Sequence, residues 1–221
     1  IGVAVVYAEQ ERIDGRPRLG AEFHRLDDGI AHDGVNRSLT VEIPDVPTAE
    51  FTTIQATADG AVGHLTLDRP EKLNPLGTTT LLELAAAARW FDAQPGVKAV
   101  VVSGAGRSFS AGADLASFGD PAANQGLTVR EAADAGRLMA EAIEAMGAVT
   151  VAAIHGHCIG GGVVLAAACD LRVAAEDTYF SIPEVDLGIP LAWGGIPRLV
   201  REIGPALTRE LVLTCRPFTA T

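Results

Sequence analysis

The sequence predicts an α/β fold in which helices cover a largely parallel sheet. Short apolar runs such as KAVVVSG (98–104) and TVAAIHG (150–156) have the length of strands that are buried on both faces. They alternate with longer stretches of helical spacing, for example LGTTTLLELAAAARWFDAQ (76–94), which is rich in alanine and leucine. Such alternation along the chain is typical of the α/β class.

Residues 1–50 precede this alternation, and we treat them as an N-terminal extension of unknown role. IGVAVVYAEQ (1–10) is typical of a strand, and PDVPTAE (44–50) is typical of a linker. The histidine and aspartate side chains between them lack the spacing of metal ligands, so we expect a solvated, hairpin-like surface without metal. These side chains are His24, Asp27, Asp28, His32 and Asp33.

The alternation begins at Phe51, and we place a core unit at 51–203 and the start of a C-terminal helical region at 204–221. FTTIQATA (51–58) and AVGHLTLD (61–68) alternate polar and apolar residues around Asp59-Gly60, which predicts a hairpin. The other predicted elements are helices at 128–148, 161–170, 196–204 and 205–215, and two strand segments within 171–184.

The composition excludes several classes of function. The formal net charge of −11 argues against nucleic-acid binding, because such proteins need a basic surface against phosphates. Cys158, Cys169 and Cys215 are odd in number and lack metal-binding spacing, so we expect a reduced, cytoplasmic setting. No apolar stretch has the length of a membrane span and no signal peptide is evident, so we expect no membrane association.

The first loop that could carry chemistry is GAGRSFSAGADL (104–115), directly after a buried strand. It fits a dinucleotide-binding fingerprint poorly, because Phe109 occupies the third glycine position, and it lacks the Gly-Lys-Ser/Thr of a Walker loop. Its small residues from Ala111 to Ala113, followed by Asp114, allow a ligand to approach the main chain closely.

The second loop is IHGHCIGGG (154–162), which also follows a buried strand. Gly160 to Gly162 lead into a helix, whose N-terminus has unpaired N–H groups and a partial positive charge. Close packing of helix and strand would also explain the glycines. Together, however, the two loops form a plausible pair of donors for one developing oxyanion.

With these loops in place, the stretch from Phe51 to about Arg216 resembles the enoyl-CoA hydratase/isomerase (crotonase) family. The matching motifs, in the order and spacing of the family, are LDRPEKLNPL, SGAGRSFSAGADL, IHGHCIGGGVVLAAACDLRVA, FSIPEVDLGIP and GGIPRLVREIG. The resemblance implies a crotonase-like (ClpP/crotonase) ββα spiral core at 51–203 that binds acyl-CoA. It implies an acyl-CoA thioester substrate with no separate cofactor, because coenzyme A is part of the substrate. It also implies a homotrimer or a dimer of trimers.

The resemblance can be carried over to individual residues. Ala113 and Gly161 match the two positions whose backbone N–H groups bind the thioester oxygen in the family. Asn74 lies beside the region where the family packs coenzyme A, and Lys72 is the best local candidate for a phosphate contact, although a solvated lysine is the alternative. The expected acyl-CoA-binding residues are Lys72, Asn74, Ala111, Asp114 and Gly160, with Asp114 expected to fix its loop by hydrogen bonds to main chain.

Hydratases of the family use two glutamates, and this sequence retains one of them. The first position is occupied by Val164, which cannot orient water or move a proton, whereas the second is Glu184. A single carboxylate beside an oxyanion hole suits removal of a proton next to a thioester carbonyl. We expect the pKa of Glu184 to be raised by its apolar neighbours. Asp186 and Glu176 are alternative carboxylates, and a structural role for His155 is at least as plausible as a catalytic one.

Three functions follow from this pattern. The first is double-bond isomerisation of an enoyl-CoA with Glu184 as the single acid and base. The second is hydration with altered positioning of water, and the third is binding of acyl-CoA without turnover. The sequence stops at Thr221, whereas family members continue with helices that complete the acyl pocket and the trimer contact, so we expect the C-terminal helices to be only partly present.

Overall fold

The computed structural model describes residues 3–6, 50–115, 124 and 127–220, and its elements alternate as predicted. The strands are β1 (Val3–Val6), β2 (Ile54–Asp59), β3 (Val62–Leu67), β4 (Ala99–Gly104), β5 (Val149–Ile154), β6 (His157–Ile159), β7 (Leu171–Ala175) and β8 (Tyr179–Ser181). The helices are α1 (Thr78–Asp92), α2 (Val129–Glu144), α3 (Gly161–Ala168) and α4 (Gly195–Thr214), and a short 3₁₀ helix covers Pro70–Lys72.

A six-stranded sheet in the order β1-β7-β5-β4-β3-β2 forms the centre of the fold. Its inner strands β7, β5, β4 and β3 run parallel, whereas β1 and β2 at the two edges are antiparallel to their neighbours. The hairpin predicted around Asp59-Gly60 is confirmed, because Asp59 pairs with Val62 and Gly60 has the positive φ of 57° that a tight turn requires. Val3–Val6 belongs to the N-terminal extension, and the proposed metal-free hairpin at 24–33 lies outside the described residues.

A second, smaller sheet escaped the sequence analysis. β6 pairs in parallel with β8, with His157 opposite Tyr179 and Ile159 opposite Ser181. β8 is one of the two strand segments predicted within 171–184, whereas β6, with three residues, is too short for a recognisable alternation and lies in a predicted loop. This pairing carries the chain from β6 directly into Gly160 and α3.

The predicted helices are confirmed, and each has a local cause. α2 begins at a capping box, in which the Thr128 side chain and Glu131 bond to each other's backbone N–H groups. α4 contains the two predicted helices, separated where Gly204 leaves helical geometry ahead of Pro205. All of α3 is buried, as expected of a helix without polar side chains.

One continuous hydrophobic cluster joins the central sheet to the helices. α1 contributes mainly alanine and leucine to it, and these small and medium side chains allow the helix to pack closely. The largest fully buried side chains are Leu65, Leu67, Leu76, Leu84, Phe91, Val100, Phe109, Met139, Ile143, Leu165, Ile182 and Leu211.

The three cysteines are free and buried. Burial raises the pKa of the Cys169 thiol to about 12 and also raises the pKa of Cys158, so both remain protonated and unreactive at neutral pH. Among the helices in the described ranges, none combines the length and the hydrophobicity needed to cross a membrane.

Glu83 on α1 fixes the start of the first hairpin. Its buried carboxylate accepts hydrogen bonds from the backbone N–H of Thr52 (2.8 Å) and of Thr53 (3.0 Å) and from both threonine hydroxyls. We expect Glu83→Gln to lower the free energy of unfolding by about 1–3 kcal/mol, because an amide nitrogen would face buried donors. Urea denaturation measures this change, with exposed Glu176→Gln as the control. Equal midpoints for the two variants would contradict the prediction.

Candidate active site

The candidate site lies where four chain segments run side by side in the same direction. A parallel bridge joins Leu76 to Ala113, a second joins Ser110 to Cys158, and the pairing of β6 with β8 completes the row. Because parallel segments end at the same edge, the residues that follow them meet there. The row therefore places the two predicted oxyanion loops next to each other and next to the turn after β8.

The N–H of Ala113 faces the second loop. The N–H of Leu76 donates to the carbonyl of Gly112 (2.8 Å), and the N–H of Asp114 donates to the carbonyl of Leu76 (3.2 Å). Ala113 lies between the two residues that bond to Leu76, and in a parallel bridge such a residue directs its own N–H away from the bonded strand. That side holds β6, and within 50–115 and 127–220 no acceptor contacts the Ala113 N–H.

Gly161 contributes the second donor as the first residue of α3. The N–H of Gly160 donates to the carbonyl of Ser181 (2.8 Å), and the N–H of Val163 donates to the carbonyl of Gly160 (2.9 Å). The N–H of Gly161 has no acceptor in the part of the chain that the structure describes. It also lies at the positive end of a buried helix dipole, which strengthens its interaction with negative charge.

The glycines of both loops are required by close approach of the two main chains. A Cβ atom on Gly112, whose φ is +88°, would lie 2.7 Å from the carbonyl oxygen of Ile159. A Cβ atom on Gly162 would lie 3.0 Å from the Cβ atom of Ser110. Close packing therefore explains Gly112 and Gly162, and on Gly161 a side chain would collide with the ring of Trp193.

Glu184 lies against the second loop. β8 ends at Ser181, and the chain then turns so that the Glu184 carboxylate contacts Gly160, where a side chain would collide with Oε1. The residue is buried, and its Oε2 atom has no hydrogen-bond partner among the described residues. Burial raises the pKa of this carboxyl above its ordinary value of 4.5, as predicted, and a hydrogen bond from its own backbone N–H opposes the shift.

Asn74 holds the first loop in place. Its backbone has a left-handed φ of 54°, and the residue is fully buried. Its Nδ2 atom donates to the carbonyls of Ala105 and Ser108 at 2.9 Å each, and its Oδ1 atom accepts the N–H of Arg69 at 2.9 Å. The amide is therefore engaged on both sides by main-chain groups, and the contact of Asn74 with coenzyme A stays a prediction.

The other predicted binding residues surround the two donors. Lys72 is exposed at the end of the 3₁₀ helix, and Ala111 donates its N–H to the carbonyl of Leu73 at 2.8 Å. Asp114 is half-buried, and its carboxylate lies 3.6 Å from the guanidinium of Arg69. Asp114 thus ties the first loop to Arg69, before the 3₁₀ helix, through an ion pair, and to Leu76, after that helix, through its backbone N–H.

Val164 does not present a polar group to the site. Its side chain is buried in α3 and faces the start of α4, where a Cβ atom on Gly195 would lie 2.7 Å from Val164 Cγ2. The alternative carboxylates Glu176 and Asp186 are both exposed in turns, unlike Glu184.

The two histidines near the second loop have structural partners. The ring Nε2 of His155 lies 2.9 Å from the carbonyl oxygen of Gly106, and the ring Nδ1 of His157 lies 3.0 Å from the hydroxyl of Ser108. These contacts join the two loops behind the donors. They agree with the hydrogen-bonded role expected for His155.

Sequence reasoning missed the part played by Trp193. Trp193 has a left-handed φ of 57°, and its ring contacts both Gly161 on α3 and Gly136 on α2. The available signal was Gly136, an isolated glycine inside a helical pattern, which usually has a packing reason.

Comparison with protein families identifies the chain. Residues 57–221 match the family model described as enoyl-CoA hydratase/isomerase. This chain belongs to that family. Since solved structures of the family also share its architecture, the predicted crotonase fold is confirmed.

Some curated relatives of this chain are named isomerases and others are named hydratases. The chain is 38% identical over 175 residues to the peroxisomal Delta(3,5)-Delta(2,4)-dienoyl-CoA isomerase of Arabidopsis thaliana, a match covering 75% of this chain and 63% of that protein. It is 38% identical over 157 residues to the crotonyl-CoA hydratase of Syntrophomonas wolfei, covering 71% of this chain and 59% of the relative. The chain thus spans less than two thirds of the length of these relatives.

Solved structures of similar proteins superpose over the same region. Pseudomonas aeruginosa AtuE matches with a TM-score of 0.71 and 32% identity, covering 76% of this chain and 65% of that one. A Thermobifida fusca YX protein, assigned as an enoyl-CoA hydratase and solved in complex with acetoacetyl-CoA, matches with a TM-score of 0.70 and 28% identity. This second match covers 79% of the chain and 71% of the Thermobifida protein.

The bonds of Asn74 predict that a small change there disturbs the whole first loop. Asn74→Asp keeps the shape and the acceptor but removes both donors to buried carbonyls, so we expect a loss of about 1–3 kcal/mol in the free energy of unfolding. Urea denaturation measures the loss, and Gln55→Glu, which alters an exposed side-chain hydrogen bond to Asp68, is the control. An Asn74→Asp protein as stable as the control would contradict this role.

Proposed function

We propose that this protein transforms an acyl-CoA thioester by stabilising its enolate, and that the reaction is migration of a double bond in an enoyl-CoA. The observation that carries the proposal is the buried Oε2 of Glu184, beside the N–H groups of Ala113 and Gly161, all three without a hydrogen-bond partner among the described residues. A buried carboxylate oxygen without a partner favours uptake of a proton, and the donors favour the charge that proton removal creates.

The proposed reaction has two proton transfers and no net change in composition. The thioester oxygen accepts hydrogen bonds from the N–H groups of Ala113 and Gly161. Glu184 takes a proton from C2 of a 3-enoyl thioester, the C2–H electron pair forms the C1–C2 double bond, and the carbonyl π electrons move onto the thioester oxygen, so that with the C3–C4 double bond still in place a dienolate results. When the oxygen electrons reform the carbonyl, the C1–C2 electrons form the C2–C3 double bond and the C3–C4 electrons take up the proton at C4. Glu184 then returns the proton to C4 as negative charge leaves the oxygen, which yields the 2-enoyl thioester.

The two backbone donors supply much of the expected acceleration. Removal of one oxyanion-hole donor in a well-studied hydrolase lowers turnover about 10²–10³-fold, which corresponds to about 3–4 kcal/mol. Here one donor lies at the N-terminus of the fully buried α3, where the helix dipole acts in a medium of low dielectric. Because the donors belong to main chain held by neighbouring segments, they need no reorganisation when charge develops.

Val164 supports isomerisation over hydration. Addition of water requires a second group that orients the water molecule, and the position one helical turn after Gly161 is apolar and packed against α4. Hydration is the second candidate, and relatives named crotonyl-CoA hydratase and mevalonyl-coenzyme A hydratase favour it. The products formed from one substrate panel separate the two.

We also propose how the rest of the substrate and the assembly are arranged. Coenzyme A is part of the substrate, and its phosphates would lie along the exposed loop that contains Lys72. A homotrimer or dimer of trimers in a reducing compartment such as the cytoplasm is consistent with the resemblance and with three free, buried cysteines.

Replacement of Glu184 tests the proposed chemistry directly. We expect Glu184→Gln to lower kcat for 3-enoyl-CoA isomerisation by at least about 10²-fold with little change in KM, because the amide has nearly the same shape but cannot move a proton. Exposed Asp186→Asn is the matched control and should retain activity. Undiminished turnover by Glu184→Gln would overturn the role of Glu184. Hydration of crotonyl-CoA without isomerisation would favour the hydratase. Binding without any turnover would favour an acyl-CoA-binding protein without catalytic activity.

The raised pKa of Glu184 predicts two pH effects. For catalysis, kcat/KM should fall on the acidic side with an apparent pKa above 4.5, because the base must be ionised. For stability, a carboxyl whose pKa is raised on folding stabilises the native state fully below its unfolded pKa. That contribution to stability is lost as the pH rises through the pKa of the carboxyl in the folded protein.

Glu184→Gln should therefore be more stable than the wild type at neutral pH, and this advantage should vanish below about pH 4. Thermal unfolding as a function of pH measures the difference. A constant difference across the range would contradict it.

A further inference from the structure

Trp193 has a backbone conformation that bulky residues rarely adopt. Its φ is 57°, in the left-handed region, and the following residue Gly194 has a φ of 69°. For a non-glycine residue such a conformation is unfavourable, so surrounding contacts must hold it.

Arg198 provides those contacts. Its Nη1 atom donates to the carbonyl oxygens of Trp193 (3.2 Å) and Gly194 (3.1 Å), and its Nη2 atom donates to the carboxylate of Glu144 on α2 (2.7 Å). The guanidinium is buried, and against the desolvation of the Glu144 carboxyl, Arg201 and then Arg198 lower the pKa of that group. The turn that carries the indole is thereby fastened to both α4 and α2.

The indole spans the gap between α2 and α3. Its pyrrole edge lies against Gly136 and its benzo edge against Gly161, and a Cβ atom on either glycine would collide with the ring. A glycine inside a helix costs about 0.5–1 kcal/mol relative to alanine, so Gly136 weakens α2 locally. The contact with the Trp193 ring explains why a glycine occupies position 136.

This placement puts the ring beside the proposed oxyanion donor. Gly160 contacts the Glu184 carboxylate and Gly161, the next residue, contacts the ring. The indole thus packs directly against the residue whose N–H is the proposed donor. On its other side the ring borders a cleft of about 380 Å³, which also involves Gly194 and the first half of α2. The lining of that cleft combines Thr128, Ala133 and Trp193 with the charged residues Arg130, Glu131, Asp134 and Arg137.

We propose that Trp193 closes the acyl-binding site and restricts the protein to short, straight acyl groups. This inference rests on the proposed function, because it takes the Gly161 N–H as the place where the thioester oxygen binds. The ring stands between that donor and the cleft along α2, so a longer chain meets the indole before it reaches open space. Removal of the ring would connect the acyl-binding site with the cleft along α2.

The test compares Trp193→Gly with Trp193→Phe and with the wild type. Glycine removes the ring and suits the left-handed backbone, whereas phenylalanine keeps a smaller ring in the same place. We measure kcat/KM on butenoyl-, hexenoyl-, octenoyl- and dodecenoyl-CoA substrates with the double bond at C3. The wild type should prefer the shortest substrates. In Trp193→Gly the ratio of the longest to the shortest should rise about 10–100-fold, with a smaller rise in Trp193→Phe, because each methylene that fits an apolar pocket changes discrimination by about this factor.

A binding measurement keeps the inference separate from the proposed chemistry. The chain has two tryptophans, and Trp90 packs edge-on against Phe91 in α1, away from the loops. In Trp90→Phe, fluorescence therefore reports on Trp193 alone, and titration with saturated butyryl- to lauroyl-CoA gives affinities without turnover. Calorimetry with the same thioesters extends the series to Trp193→Gly and Trp193→Phe. We expect butyryl-CoA but not free coenzyme A to change the emission, and lauroyl-CoA to bind the wild type at least about tenfold more weakly than it binds Trp193→Gly.

Each outcome decides one of the two proposals. A shift in chain-length preference by binding, without turnover of any enoyl-CoA, supports the role of Trp193 and overturns the proposed chemistry. Turnover with the same chain-length preference in all three proteins overturns the role of Trp193 and leaves the chemistry standing. Failure of every thioester to bind or react overturns both. If Trp193→Gly does not fold, the smaller shift expected of Trp193→Phe decides the question.

Discussion

The rest of the site depends on the parallel pairing of residues 110–113 with β6. This pairing puts the carboxyl ends of the two segments beside each other. The N–H of Ser110 donates to the carbonyl of His157, and the N–H of Ile159 donates to the carbonyl of Ser110. These two bonds set the register, and the register brings Ala113 to the level of Gly161. A shift by one residue would turn the Ala113 N–H away from α3. The positive φ of Gly112 and the small size of Gly162 follow from the same close approach.

The second feature that organises the site is a carboxylate kept in unfavourable surroundings. Burial of Glu184 without a partner for Oε2 among the described residues works against stability, because a buried acceptor without a hydrogen bond loses its hydration. The buried carboxylate of Glu83, by contrast, accepts four hydrogen bonds. Natural proteins retain such strain mainly at functional sites, and the position of Glu184 beside the start of α3 fits that pattern.

Local patterns predicted the elements that are long or have distinctive turns. The hairpin at Asp59-Gly60, the break of α4 at Gly204 and the capped start of α2 depend on interactions within a few residues, which a sequence displays directly. β6 was not separable from a loop, because a three-residue strand is defined by its partner rather than by its own pattern. Asn74 illustrates the same limit: its carbonyl partners lie more than thirty residues away along the chain, so its internal role was not visible.

The sequence by itself determined the α/β class, the two glycine-rich loops, the family, and the presence of Glu184 with Val164 in place of a second acid. These features are local, and the order of motifs along the chain is enough to recognise them. Only the tertiary structure decided which groups face one another. It left the N–H groups of Ala113 and Gly161 without a partner among the described residues, and it buried Glu184 while exposing Asp186. It also placed the indole of Trp193 between two helices. The physical reason is that hydrogen-bond direction, burial and steric closure arise from segments that are distant in sequence and meet only when the sheet and helices pack.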